Sequence, residues 1–127
     1  MRSSTLDRPT SHRDLLAWQE AIKLAVMIHG ESAAFPREEL YGLTLQLRKS
    51  AVSIAANIAE GAARNSTKEL LQFLGYASGS RAETDSHLEI ARQLGFLPTE
   101  SQVFKQVALV GKLVTALRKS LRDDTNH

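Results

Sequence analysis

The stretch from Leu40 to Gly61, LYGLTLQLRKSAVSIAANIAEG, places the tightest constraint on what this chain can fold into. At about 100° per residue, it forms a helix with two apolar faces on nearly opposite sides. The first face has the spacing of a core seam and comprises Leu40, Leu43, Leu47, Ala51, Ile54 and Ile58. The second comprises Tyr41, Leu45, Val52, Ala56 and Ala59. Because the outer side of a helix in a monomeric bundle is normally polar, the second face predicts a subunit contact or burial on both sides.

Small and polar side chains separate the two apolar faces of this helix. They are Gly42, Gln46, Ser50, Ser53, Asn57 and Glu60. Their size lets another backbone approach closely, and their polar atoms need hydrogen-bond partners once they are covered. Two interpretations follow. These residues either join neighbouring helices through hydrogen bonds or line a ligand-binding groove.

Apolar periodicity predicts another helix before this one, over about residues 12–34. Ser11 and Asp14 resemble a capping pair at its start. The predicted inward stripe is Leu15, Trp18, Ile22, Ala25 and Ile28. Pro36 ends this helix and suits the first turn of the second one, which we expect to run to about Ala63. Gly61 is a candidate for a positive φ near the end of that second helix.

A third helix begins at a capping box formed by Ser66 and Glu69. Its predicted inward stripe is Leu70, Phe73, Leu74, Ala77, Leu88 and Ala91. Arg81 and Asp85 interrupt this stripe one turn apart. Because a buried arginine needs a carboxylate, we expect Arg81 to bond Asp85, Glu60 or both. The predicted polar network therefore comprises Gln46, Ser53, Asn57, Glu60, Arg81 and Asp85.

The fourth helix carries the most regular heptad in the chain. Gly95 predicts a Schellman ending for the third helix, and Thr99 with Gln102 forms a further capping box. The heptad comprises Val103, Val107, Val110, Val114, Leu117 and Leu121. Short connections make sequential helices antiparallel neighbours. The sequence thus predicts an all-α, up-down-up-down antiparallel four-helix bundle over residues 12–123. A flexible leader (1–11) and a frayed tail (124–127) flank it, and the additional apolar face predicts homo-oligomers.

The sequence carries no pattern typical of a catalytic, metal or membrane site. The four histidines lack ligand spacing, and no phosphate-binding glycine loop or nucleophile motif occurs. We therefore expect no enzymatic activity, no metal and no cofactor. The absence of cysteine excludes disulfides and fits a reducing cytoplasm. The start of the chain lacks the apolar segment of a signal peptide, and no run of about 20 apolar residues predicts a membrane span.

Basic residues concentrate on the second to fourth helices. The candidate nucleic-acid-binding residues are Arg48, Lys49, Arg64, Lys68, Lys105, Lys112, Arg118 and Lys119. Of these, Lys105, Lys112 and Lys119 recur every seven residues and so share one face. Such a ridge can follow phosphate groups, although a solvated face that keeps the protein soluble has the same pattern. A net charge of +2 is compatible with either interpretation.

The chain resembles the bacterial four helix bundle protein family, also called the ribosomal RNA intervening-sequence protein family. The resemblance covers about residues 12–122. It is strongest in the run Asn57–Gly61. Further matching positions are Trp18, Phe35, Pro36, Glu39, 41–43, Gln46, 48–53, Arg64, Phe73, Gly79, Ser80, Glu83 and Leu88. Where the family usually has leucine, this chain has Arg81 and Thr84.

The resemblance implies a homopentamer with no established enzymatic activity. Members are encoded in insertions within large-subunit ribosomal RNA genes, and a relative, the accessory protein of diversity-generating retroelements, binds nucleic acid and a reverse transcriptase. We favour a non-enzymatic, homo-oligomeric scaffold that binds structured RNA, or DNA, through its basic surface. The alternative is a protein-protein interaction module with no nucleic-acid role.

Overall fold

Four α-helices account for most of the chain. The structure is a computed structural model that describes residues 11–125, without the side chain of Thr125. The helices are α1 (Leu16–Ser32), α2 (Leu43–Ala62), α3 (Thr67–Gln93) and α4 (Val103–Thr125). Single turns of 3-10 helix at His12–Asp14 and Arg37–Glu39 precede α1 and α2. Residues 11–125 contain no strand, so the all-α prediction is confirmed over this range.

Each helix packs against two others in a closed cycle. Helix α1 contacts α2 and α4, and α3 also contacts α2 and α4. Across α2 and α3, Ser50 pairs with Thr84, Ser53 with Ser80, and Gly61 with Phe73. The residue number in α3 thus falls as the number in α2 rises. A single apolar core lies where the four helices meet.

The core faces of α2 and α4 are those that the sequence predicts. Leu47, Ala51, Ile54 and Ile58 of α2 are fully buried. The valines of the α4 heptad are also buried, and Leu117 and Leu121 pack partly buried against the core. Burying one such side chain stabilises the fold by about 1.5–3 kcal/mol. Leu40 is the exception, because it lies in the turn before α2 and remains 46% exposed.

The predicted inward stripe of α1 is confirmed at Ile28 but is wrong by about one position earlier in the helix. The buried residues are Ala17, Ala21, Leu24, Ile28 and Ser32. Trp18 and Ala25 are only partly buried, and Ile22 is 37% exposed. The alanines let the backbone of α1 approach the core closely, so the larger residues beside them remain near the surface.

Two of the predicted helix ends are confirmed. The Ser66 hydroxyl accepts a hydrogen bond from the Glu69 amide at 3.1 Å, which caps α3 at its start. At the other end, Gly95 has φ 81°, and the Phe96 amide donates to the Ala91 carbonyl at 2.9 Å. This pairing is the Schellman motif, which requires a left-handed residue that glycine adopts at little cost.

Three other predictions about helix ends are wrong. Gly61 lies inside α2 and has no positive φ; a methyl group added there would lie 2.8 Å from the Phe73 Cβ. The absence of a side chain at Gly61 instead lets α2 and α3 approach closely. The Val103 amide at the start of α4 donates to Ser101, so Thr99 is not the capping residue. Ser11 caps only a 3-10 turn, because Leu15 is extended and α1 begins after it.

The predicted boundaries of the bundle differ at both ends of the described range. Helix α4 continues to Thr125, so two residues of the predicted tail are helical. Residues 1–10 of the predicted leader and the last two residues of the tail lie outside the described range.

Candidate nucleic-acid interface

Arg81 on α3 lies directly against the backbone of α4 at Gly111. A methyl group added at Gly111 would lie 3.0 Å from the Arg81 Nε and 3.2 Å from its Cζ. Any larger residue at this position would displace the guanidinium group. Gly111 therefore provides the space that Arg81 occupies at the junction of the two helices.

Arg118 makes the reciprocal contact from α4 to α3. Its Nη2 lies 3.9 Å from the position that a Cβ would take at Gly75. The Nε of Arg118 is buried and has no hydrogen-bond partner within the described part of the chain. Buried donors in proteins are almost always hydrogen-bonded. This Nε is therefore an unpaired donor that the surrounding protein also shields from solvent.

A groove runs along the α3–α4 junction beside Arg81. Its volume is ≈ 490 Å³. It is lined by Arg81, Ala108, Gly111, Lys112, Thr115, Ala116 and Lys119. Three of these residues are cationic and none is acidic. We call this the α3–α4 basic groove.

Two further predicted residues extend the α3–α4 basic groove along its helices. Lys105 lies one heptad before Lys112 on α4, and Lys68 lies two turns before Gly75 on α3. Residues seven apart in a helix share a face. Both lysines are exposed. Five of the eight predicted basic residues thus lie on or beside one junction, and Arg81 joins them.

The predicted ion pair of Arg81 with Asp85 or Glu60 is wrong. Within residues 11–125, neither carboxylate forms an ion pair with Arg81. Glu60 instead bonds Arg64 at 2.7 Å, and Asp85 is exposed. The side chain of Arg81 extends towards α4, where Gly111 leaves room, and not towards α2, where Glu60 lies. The glycine inside the α4 heptad was the one sequence signal that could have indicated this direction.

The other predicted basic residues lie elsewhere and mostly serve the fold. Arg48 donates to the Ser32 hydroxyl at 2.8 Å and to the His29 carbonyl, which ties α2 to the end of α1. Arg64 pairs with Glu60 and lies over the Phe73 ring at 4.7 Å. Lys49 is exposed on the outer face of α2. None of the three lines the α3–α4 basic groove.

Arg92 shows how a cation of α3 behaves when an acid is near. Glu89 bonds Arg92 and also accepts from the Gln93 amide at 2.7 Å. The Arg92 hydrogen bond is the main reason that the pKa of Glu89 is below its usual range. Glu89 correspondingly raises the pKa of Arg92. This cation is neutralised locally, whereas those in the α3–α4 basic groove have no such partner among the lining residues.

The polar face of α2 forms a hydrogen-bonded seam with α3. The Ser53 and Ser80 hydroxyls lie 2.9 Å apart, and the Asn57 amide donates to the Ser53 hydroxyl at 3.0 Å. The Thr84 hydroxyl, fully buried, donates to Ser50 at 2.9 Å. This face of α2 therefore joins α2 to α3 through hydrogen bonds. Gln46 does not join the seam: it is exposed and makes no side-chain hydrogen bond within residues 11–125.

The second apolar face of α2 meets exposed apolar residues of α1. Val52 is 59% exposed and Tyr41 is 85% exposed. A groove of ≈ 310 Å³ lies between the two helices. It is lined by His12, Trp18, Ile22, Ala25, Val52, Ala55, Ala56 and Ala59. We call this the α1–α2 apolar groove. Three of the five predicted interface residues line it, whereas Tyr41 and Leu45 are exposed outside it.

A family model matches most of the chain. The model describes the 23S rRNA-intervening sequence protein, and it matches residues 13–116. This chain belongs to the 23S rRNA-intervening sequence protein family. The match spans the starts of all four helices and includes Arg81, Gly111 and Lys112; Arg118 and Lys119 lie just beyond it. Comparison with curated proteins gives no match.

The described surface of this family member carries one groove lined by cationic side chains and one lined mostly by apolar side chains. Within the described range, no three histidine, aspartate or glutamate residues are arranged to hold a metal ion. No helix in that range has the length and hydrophobicity needed to cross a membrane.

Proposed function

We propose that this chain is a non-enzymatic, homo-oligomeric scaffold that binds structured RNA through the α3–α4 basic groove. The subunit is proposed to be an up-down-up-down antiparallel bundle located in the cytoplasm. One observation carries the proposal. Arg81, Lys112 and Lys119 line a single groove that contains no acidic residue.

The charge of this groove matches the chemistry of an RNA backbone. Each lysine or arginine that contacts a phosphate releases counterions, so affinity falls steeply as the salt concentration rises. The family name associates its members with ribosomal RNA, which favours RNA as the ligand. One subunit offers only a few such cations. Several copies in one assembly multiply the contacts and raise the effective affinity.

Self-association is proposed through the α1–α2 apolar groove and the exposed face of α2 beside it. A cluster of exposed apolar side chains on one side of a small subunit is typical of a subunit interface. The family resemblance implies five copies. Lys49 lies on the outer face of α2 between Leu45 and Val52, so a covering subunit would have to supply an acidic partner.

Charge reversal tests the RNA proposal. We expect Lys112→Glu combined with Lys119→Glu to abolish retention of an RNA hairpin in a gel-shift assay at low salt. The matched control is Lys23→Glu with Arg37→Glu, which changes the charge equally at exposed positions outside the groove. Equal affinity of the two variants would show that the groove does not bind RNA.

The alternative is a protein-interaction module with no role in nucleic-acid binding. The apolar surface around Val52 and Ile22 favours it, because a partner helix can pack its apolar face into such a groove. A purified complex with one protein partner that persists after nuclease treatment and in high salt would support this alternative. Loss of the complex in high salt would contradict it.

A further inference from the structure

We infer that a groove between the end of α1 and the start of α4 binds the outer face of α2 of a second copy of this chain, with Lys49 of that copy bonded to Glu31 or Glu100. This inference rests on the self-association in the proposed function and names the surface that covers the exposed face of α2. The groove and the outer face of α2 are different surfaces, so the contact is head-to-tail and each copy offers both halves of it.

The groove combines apolar walls with acidic side chains. Its volume is ≈ 430 Å³. Its apolar lining includes Val26, Met27, Pro98 and Val103, and its acidic lining comprises Glu31 and Glu100. None of its lining residues is basic. We call this the α1–α4 acidic groove.

The two carboxylates of the α1–α4 acidic groove have no cationic partner within residues 11–125. Both glutamates are exposed. The Ser101 hydroxyl donates to the Glu31 carboxylate at 2.7 Å, which holds Glu31 beside the start of α4. The groove can therefore bind a cation that another molecule brings.

Lys49 is such a cation, and it lies within the exposed apolar face of α2. Its neighbours on this face are Leu45, which is 39% exposed, and Val52, which is 59% exposed. Lys49 forms no ion pair in the described part of the chain. When another subunit covers this face, the ammonium group loses water and requires a carboxylate. The α1–α4 acidic groove supplies both the carboxylates and the apolar contacts.

Lys49 and Glu31 lie at the same height along the bundle. Arg48 donates to the Ser32 hydroxyl at 2.8 Å and to the His29 carbonyl at 3.2 Å, so this turn of α2 is level with the end of α1. Rotation about an axis parallel to the helices preserves height. Neighbouring copies related by such a rotation therefore place Lys49 of one copy level with the carboxylates of the next.

A two-fold pairing of the α2 faces fits these charges less well. A pair centred on Lys49 brings the lysines of both copies together, and like charges across an interface oppose association. The head-to-tail contact places opposite charges together instead. It also uses none of the residues that line the α3–α4 basic groove, so self-association and RNA binding depend on separate side chains.

Charge exchange tests the contact between Lys49 and the glutamates. Light scattering and sedimentation of nuclease-treated protein give the mass and the dissociation constant of the assembly. We expect Lys49→Glu to raise this dissociation constant about tenfold or more, and Glu31→Lys with Glu100→Lys to do the same. All three substitutions together should restore assembly. The matched control is Lys68→Glu, an equal charge change at an exposed position of α3.

Val26→Glu tests the apolar part of the α1–α4 acidic groove. Val26 is 67% exposed, so the subunit should fold with glutamate there, and circular dichroism checks its helix content. We expect the assembly to dissociate. Ile90→Glu is the control, because Ile90 is 48% exposed on α3 and lies outside the groove.

Val52→Glu separates this contact from the proposed interface on α2. If Val52→Glu dissociates the assembly whereas Lys49→Glu and Val26→Glu do not, the groove does not bind a second copy and the proposed α2 interface stands. A triple variant that stays dissociated would show that Lys49 does not meet the glutamates. A monomeric wild-type protein would refute both this contact and the proposed self-association, whereas the gel-shift assay tests RNA binding independently.

Discussion

Gly61 of α2 and Phe73 of α3 set how closely these two helices approach. A methyl group at Gly61 would lie 2.8 Å from the Phe73 Cβ and 3.1 Å from the Leu70 Cδ1. The Phe73 Cβ is attached to the backbone and cannot rotate away. The contact therefore holds only while residue 61 lacks a side chain.

Gly61→Ala should destabilise the protein even though alanine is the better helix former. The propensity gain is about 1 kcal/mol, whereas overpacking costs about 1–3 kcal/mol. We expect a net loss of about 1 kcal/mol in chemical denaturation. Gly30→Ala is the control, since nothing lies within 4 Å of that added group, and it should stabilise. A Gly61→Ala protein at least as stable as the wild type would show that the helices can separate freely.

The hydrogen bond between Thr84 and Ser50 predicts energetic coupling across the core. Thr84→Val should lower the free energy of unfolding by about 1 kcal/mol, because a buried hydrogen bond is lost. Ser50→Ala should have a similar cost, since its hydroxyl also donates to the Leu47 carbonyl. The double variant should cost less than the sum of the two single changes. Strictly additive values in a double-mutant cycle would argue against a direct interaction.

The contact between Glu20 and Gln106 predicts a dependence of stability on pH. The Gln106 side-chain amide donates to the Glu20 carboxylate at 2.9 Å and, with Lys23, lowers the pKa of Glu20. A depressed pKa contributes stability above the ordinary glutamate pKa, about 4.3, and this stability is lost as the pH falls through the folded-state value.

Gln106→Ala should therefore destabilise the protein most at neutral pH. The difference from the wild type should shrink as the pH falls through the lowered pKa of Glu20, where its carboxylate becomes protonated. Chemical denaturation at a series of pH values measures this difference in the free energy of unfolding. Gln72→Ala is the control, because Gln72 bonds Tyr76 and not a carboxylate. A Gln106→Ala difference that stays constant with pH would contradict the assignment.

The two faces of α2 predict opposite results for glutamate substitutions. Val52→Glu should dissociate the proposed oligomer and leave the helices intact, because Val52 is exposed in the subunit. Ile54→Glu should unfold the subunit, because Ile54 is fully buried and an unpaired charge cannot be accommodated there. Light scattering gives the mass and circular dichroism gives the helix content. An assembly unaffected by Val52→Glu would rule out this face as an interface.

The sequence predicts the presence of the four helices and two of the helix ends, since these features depend on nearby residues. The Ser66 cap requires only a hydroxyl next to free amides, and the Gly95 motif requires only a residue that tolerates positive φ. The core faces of α2 and α4 also follow from spacing, because their large apolar residues repeat along one side. The same reasoning places Lys105, Lys112 and Lys119 on a shared face.

The inward side of α1 and the direction of Arg81 depend on the neighbouring helices. Periodicity marks an apolar arc, but whether Ala21 or Ile22 faces the core depends on how closely α1 approaches. The Arg81 side chain packs against α4 because Gly111, 30 positions later in the chain, leaves space there. By itself, the sequence determined the helices and the charges that they carry. The tertiary structure alone decided which charges meet, because that choice depends on the room between helices far apart in the chain.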